Sequence, residues 1–275
     1  MKELQPILTG PLFGEVRREL VLLLKGLSEE EWRTPTAAGN WCVKDVALHI
    51  LGGDVGNLSR RRDASPLKAD LSSYEKLVAF INDINASWVL AGQRMSTRVL
   101  TDLLEHVGQQ MDEYFAGLDP FALSEPVAWA GDEPKPVWFD VAREYTERWH
   151  HQQQIRDATG RPGLYRRRLF EPVMDAFVWA LPWSFRDVDV ADGTAVRLVL
   201  TEVLEKEWSL IRRRGKWELF EGSGNRADTE VRIAAEDAWK ILTRGFRGVE
   251  AKKRAEIRGN RALGEKVLGT VAVIA

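Results

Sequence analysis

Trp41-Cys42-Val43-Lys44-Asp45-Val46-Ala47-Leu48-His49 and Glu144-Tyr145-Thr146-Glu147-Arg148-Trp149-His150-His151 are the two runs on which the reading of this chain turns. Both read as helix. Residues four apart on a helix lie one above the other, so Glu147 and His151 present a carboxylate and an imidazole to the same point in space. If His49 reaches that point from its own helix, the set is two imidazoles and one carboxylate. Such a set suits a divalent metal and leaves coordination positions open for water or substrate, as catalytic sites require.

Working outward, Val16, Leu20, Leu23, Leu24 and Leu27 fall at helical spacing and predict a first helix over 13–27. Ser28-Glu29-Glu30-Glu31 then looks like an N-cap followed by an acidic first turn. A loop over 34–40, with Pro35 and Gly39, precedes a helix over 43–61 that carries His49. Further helices are expected over 73–94 and 97–117, the latter with Val99, Leu103, Leu104 and Val107 on one stripe. Pro120, Pro126, Pro134 and Pro136 crowd a loop. The last helix of this half starts near Pro136 and stops at Gly160, before Pro162-Gly163. Five helices without convincing strand alternation read as an antiparallel four-helix-type bundle over residues 1–164.

The pattern changes after Pro162-Gly163. Residues 169–183 suggest one more helix, whereas 195–201, 208–212, 217–220 and 229–233 look like strands, with a turn at Gly215-Lys216. A short helix over 236–243 and another over 261–275, with Leu263, Val267, Leu268 and Val271 inward, complete a small α+β domain over 165–275.

Composition bounds the partners. The 275 residues, 44% of them hydrophobic, suffice for two domains of typical size. Lys plus Arg number 39 against 41 Asp plus Glu, so no basic field favours nucleic acid or an anionic membrane. A single cysteine, Cys42, excludes an intrachain disulfide framework and a multi-cysteine zinc site, and fits a reducing cytoplasm. With no apolar signal core near Met1 and no membrane-length apolar run, the expectation is a cytoplasmic protein, monomer or homodimer. Eleven Trp supply rings large enough to wall a cavity.

Trp41-Cys42-Val43-Lys44-Asp45-Val46-Ala47-Leu48-His49-Ile50 resembles the Trp-Ser-Val-Lys-Asp-Val-Leu-Ala-His-Leu signature of the DinB-like superfamily. Glu147-Arg148-Trp149-His150-His151-Gln152-Gln153-Gln154-Ile155 is similar to the later Glu-to-His helix motif of its mycothiol-dependent maleylpyruvate isomerase branch. Ile257-Arg258-Gly259-Asn260, leading into Leu263-Gly264 and Val267-Leu268, looks like the sterol-carrier-like domain that often follows the bundle. The resemblance implies a metal-binding bundle in which His49, Glu147 and His151 hold zinc, with nickel, iron or manganese as other occupants. It also implies a small-molecule thiol such as mycothiol and a small electrophilic substrate.

Several residues admit a plainer reading. His106, after Glu105, is expected on a solvated face. His150 competes with His151 for the ligand role; the four-residue spacing and the family motif favour His151. Glu144, with Asp140 and Gln154, shares a polar row with Glu147 and His151. It is either an exposed face or a support that fixes the tautomer of a ligating ring. Gly52, Gly53 and Gly56 after His49 cost helix stability, about 1 kcal/mol each. Close helix packing explains them, or space for a ligand with Asp54 and Asn57 as its polar contacts. Arg166-Arg167-Arg168 and Arg212-Arg213-Arg214 read as solvated clusters, or as holders of carboxylates if one faces the metal. Cys42 stands where the family commonly has Ser and is not expected to be the nucleophile.

The expected chemistry is metal-dependent. A thiolate adds to an electrophilic carbon, and either leaves again after bond rotation, as in an isomerase, or stays attached, as in an S-transferase. The alternatives are a non-catalytic protein that binds a small ligand around a structural metal, and a metal-dependent hydrolase that needs no thiol.

Overall fold

The computed structural model describes residues 1–224 and 226–273. The chain forms two compact units. One comprises Leu8–Pro120 with Val141–Leu164; the other comprises Met1–Ile7, Phe121–Asp140 and the chain from Tyr165 onward.

The first unit is helical. Helix α1 (Phe13–Lys25) buries Val16, Leu20, Leu23 and Leu24 on one stripe. The acidic turn after it is a short 3-10 turn, Glu31–Arg33. Ser28 and Glu31 exchange backbone-to-side-chain hydrogen bonds of 2.7 and 3.2 Å across it. Helix α2 (Val43–Asn57) is shorter than expected, because its last stretch, Leu58–Arg62, widens into a π-helical turn. Its start is fixed by the Asp45 carboxylate, which accepts from the Cys42 N–H at 2.9 Å. Val43, Val46, Ala47, Leu48, Ile50 and Leu51 are buried on nearly all sides of α2, which makes it the central helix of this core. Helices α3 (Tyr74–Gly92) and α4 (Thr97–Ala116) start on Ser73 and Ser96, whose hydroxyls accept from the N–H groups of Lys76 and Val99. Helix α5 (Val137–Ala158) closes the bundle.

The second unit is a six-stranded sheet with helices. Strands β4 (Ala195–Thr201), β5 (Lys206–Arg213), β6 (Lys216–Glu221) and β7 (Thr229–Ala234) lie where alternation places them. Arg214 (φ 50°) and Gly215 (φ 75°) make the two-residue turn of the β5–β6 hairpin. Four strands escaped the sequence reading: β1 (Lys2–Glu3) and β8 (Ala255–Gly259) at the sheet edges, and β2 (Leu123–Pro126) with β3 (Pro134–Pro136) in a separate hairpin. The sheet order is β1-β6-β5-β4-β7-β8, with β4 and β7 parallel and the other pairs antiparallel.

The helix expected over 169–183 is two, α6 (Arg167–Phe177) and α7 (Ala180–Ser184). The first helix ends at its C-cap Val178, and Pro182, which has no N–H to donate, lies in the first turn of the second. Helices α8 (Ala235–Leu242) and α9 (Gly248–Lys253) follow β7. The final helix is also shorter than expected: α10 (Arg261–Leu268) stops at Gly269, and the last two residues of the expected span lie outside the described residues. At the corner into α10, Gly259 has φ +87°, and a Cβ there would sit 2.0 Å from the Asp228 carbonyl oxygen. Glycine is required at that corner. The fold is therefore a helical bundle followed by an α+β domain, as the sequence implied.

Candidate metal centre

Helix α5 breaks the usual inside-outside rule. Glu144, His150, His151, Gln152, Gln153 and Gln154 are all buried, although none is apolar. Burying polar groups costs free energy unless they are partnered, so a helix with nine buried polar positions, Asp140, Thr146 and Arg156 among them, marks a candidate functional site.

Two helices converge on one point. His49 projects from α2, and Glu147 and His151 project from α5. One donor atom from each lies within 4.8 Å of the others. His151 Nε2 is 3.4 Å from Glu147 Oε2, and the His49 and His151 rings meet edge to face with centroids 4.6 Å apart. Trp41 covers His49 at 5.0 Å. The three residues singled out from the sequence are thus brought together.

Hydrogen bonds fix how the rings present themselves. His151 Nδ1 lies 2.9 Å from Gln154 Oε1, and with the ring proton on Nδ1 as donor to that acceptor, Nε2 offers its lone pair toward Glu147. In that tautomer a cation can be shared by Nε2 and the Glu147 carboxylate, 3.4 Å apart. His150 Nδ1 donates to the Thr146 carbonyl at 2.9 Å, and its ring lies 3.9 Å from that of His151.

The protonation states suit a metal. Burial lowers the His49 imidazole to about 3, with the His151 ring adding to the drop and Glu147 opposing it. Burial likewise lowers His150 to about 4. Burial pushes Glu147 up, but contact with His151 and the surrounding imidazoles outweigh it and hold the carboxyl below its usual range. At neutral pH His49 and His150 are uncharged and Glu147 is ionised, the forms a metal ligand must adopt. His49 Nδ1 is buried and has no hydrogen-bond partner among the described residues, while the Asn85 side chain of α3 works against the lowering of the ring's pKa. Two imidazoles, one carboxylate and an unsatisfied ring nitrogen fit a divalent ion.

The remaining sequence candidates have definite places. Asp54 is buried and paired with Arg148, and Asn57 donates to Glu144 Oε2 at 3.0 Å. Arg148 also bonds Glu144 at 2.9 Å, and Arg61 and Arg143 pair with the same carboxylate. This ladder ties α2 to α5 in antiparallel order beside His49 and the Glu147–His151 pair. The glycines divide: a Cβ on Gly52 would sit 2.7 Å from the Trp88 ring, whereas one on Gly53 or Gly56 would meet nothing within 4 Å. Close packing explains the first, and the other two border open space. Arg167 pairs with Glu171 within α6, and Arg213 with Glu218. His106 is exposed. Burial raises the Cys42 thiol, which disfavours its reactive thiolate. Asn85 carried no sequence signal, since an amide on a helix face looks like any solvated residue.

The profile of the mycothiol maleylpyruvate isomerase N-terminal domain matches residues 13–156, more than half of the chain. The chain belongs to this family. That stretch contains all three converging side chains and the whole of the α2–α5 ladder. Among solved structures, a histidine-to-alanine mutant of the mycothiol-dependent maleylpyruvate isomerase matches with TM-score 0.56 and 8% identity, covering 94% of this chain and 95% of that one. A second structure of the mycothiol-dependent maleylpyruvate isomerase matches with TM-score 0.53 and 11% identity, covering 89% and 92%. These likenesses show the fold, bundle and sheet unit alike. No curated protein matches at the sequence level.

Proposed function

We propose that this member of the family is a metal-dependent enzyme of low-molecular-weight thiol chemistry, with mycothiol or a similar thiol as co-substrate and a small electrophile as substrate. The observation that carries the proposal is the convergence of His49, Glu147 and His151 donor atoms within 4.8 Å. When bound, a divalent ion, for which zinc is the best match to this donor set, supplies the charge that keeps a thiol deprotonated near neutral pH.

The chain's own groups do the rest. Gln154 keeps the proton on His151 Nδ1, so that Nε2 stays available as a donor. Trp41 closes one side of His49. Gly53 and Gly56 leave side-chain-free volume along α2, one and two turns from His49, where a ligand chain fits without displacing protein atoms. In an isomerisation, the thiolate sulfur bonds to one carbon of an activated double bond and the π pair moves onto the activating carbonyl. Rotation about the resulting single bond precedes the reverse step, which expels the same thiolate. In S-transfer, the carbanion takes up a proton and the new C–S bond persists.

The test is turnover by zinc-loaded protein offered an activated alkene and a thiol panel. Thiol-dependent turnover that His49→Ala abolishes supports the proposal. Thiol-independent hydrolysis, or ligand retention unchanged by removing the metal, overturns it in favour of a hydrolase or a binding protein.

A further inference from the structure

A histidine that binds a metal commonly gives its second ring N–H to a carboxylate, which passes negative charge to the ion through the ring. In this protein the acceptor for His151 Nδ1 is the carboxamide of Gln154, at 2.9 Å and buried. The side chain of α3 that acts on His49 is again a carboxamide, that of Asn85.

The other acids close by are already neutralised. Asp54 is paired with Arg148, and Glu144 is held by Arg148, Arg143 and Arg61. Two carboxylates thus face three guanidinium groups. His150 spends its Nδ1–H on the Thr146 carbonyl at 2.9 Å and so offers no acceptor there. Glu147 is the one carboxylate of the cluster without a guanidinium partner among the described residues. A divalent ion held by the Glu147 carboxylate and two imidazole nitrogens would carry a net charge of +1 within its own donor set.

We infer that Gln154 is a specificity-determining positioning residue: by holding His151 with a neutral acceptor, it leaves the centre one positive charge that selects a monoanionic ligand over a neutral one. This rests on the proposed function and sharpens it, because a thiolate is such a ligand whereas a neutral thiol, an amine or an imidazole is not.

The test uses full-length protein loaded with cobalt(II), whose visible spectrum reports both metal uptake and exchange of the open position. Azide serves as the monoanionic probe and imidazole as the neutral one. In Gln154→Glu, which keeps side-chain length and the bond to His151, azide affinity falls on the order of tenfold or more from one added charge nearby. Imidazole affinity changes far less. Gln154→Leu removes the acceptor without adding charge; it weakens cobalt binding roughly tenfold to a hundredfold but preserves the azide preference. An unchanged ratio of azide to imidazole affinity in Gln154→Glu overturns this inference while leaving the metal centre standing. Failure of the wild-type protein to take up cobalt overturns the metal centre itself.

Discussion

The Trp88 indole N–H donates to the Leu48 carbonyl at 2.9 Å, which locks α3 onto α2 one residue before His49. The ring occupies the volume that a side chain at Gly52 would need.

Two neighbouring glycines are therefore expected to respond oppositely to the same change. Gly52→Ala pushes a Cβ into Trp88 and destabilises by about 1–3 kcal/mol, less the gain in helix propensity. Gly53→Ala meets open space and stabilises by roughly 0.5–1 kcal/mol. Urea denaturation of the metal-free variants measures both; equal effects would contradict the packing described.

Arg148 is the hub of the buried ladder, and removing it strands Asp54, whereas Glu144 keeps Arg143, Arg61 and Asn57. Arg148→Met leaves the buried Asp54 carboxylate without its cation and costs about 3–5 kcal/mol. Adding Asp54→Leu to that variant recovers part of the loss, since an apolar pair replaces a stranded charge. A double-mutant cycle read by denaturation decides the point.

The sequence revealed what period and motif encode. Val16, Leu20, Leu23 and Leu24 announce α1 by spacing, and β4 and β7 announce themselves by alternation. The convergence at the candidate site was readable because Glu147 and His151 share a helix face. Only the family motif pointed from there to His49. What stayed hidden lacks a pattern of its own: β1 is two exposed polar residues, and β8 turns charged Glu256 and Arg258 outward around Ile257. The split between Gly52 and Gly53 depends on where Trp88 falls, and the Gln154 bond on one rotamer. Neither is a property of local sequence.

Gln152 is fully buried, with neither amide atom hydrogen-bonded among the described residues. Replacing an unsatisfied buried amide by an apolar side chain of similar size removes a desolvation cost of about 1–3 kcal/mol. Gln152→Leu is expected to raise the thermal midpoint, and a lowered one would show that the amide has a partner.

In the sheet unit, Lys206 Nζ joins α6 to β5 through Asp175 at 2.7 Å and Glu171 at 2.9 Å. Burial raises Asp175 to about 6 against the pull of Lys206, with the Glu171 and Glu221 carboxylates adding to the rise. The folded state then holds a proton that the unfolded state has released between its ordinary value of 3.8 and about 6. Stability from this group is present at low pH and is lost as pH rises through that window. Asp175→Asn, which cannot ionise, should gain on wild type by roughly 3 kcal/mol between pH 4 and 7. Parallel stability profiles would rule this out.

The central claim is that one divalent ion is shared by His49, Glu147 and His151. Equilibrium zinc binding, by competition with a chromogenic chelator and elemental analysis, tests it most directly. The account predicts one ion per wild-type chain, with affinity lost in His49→Ala and Glu147→Ala while both variants remain folded. Equal zinc binding by wild type and both variants, or none by wild type, would contradict it.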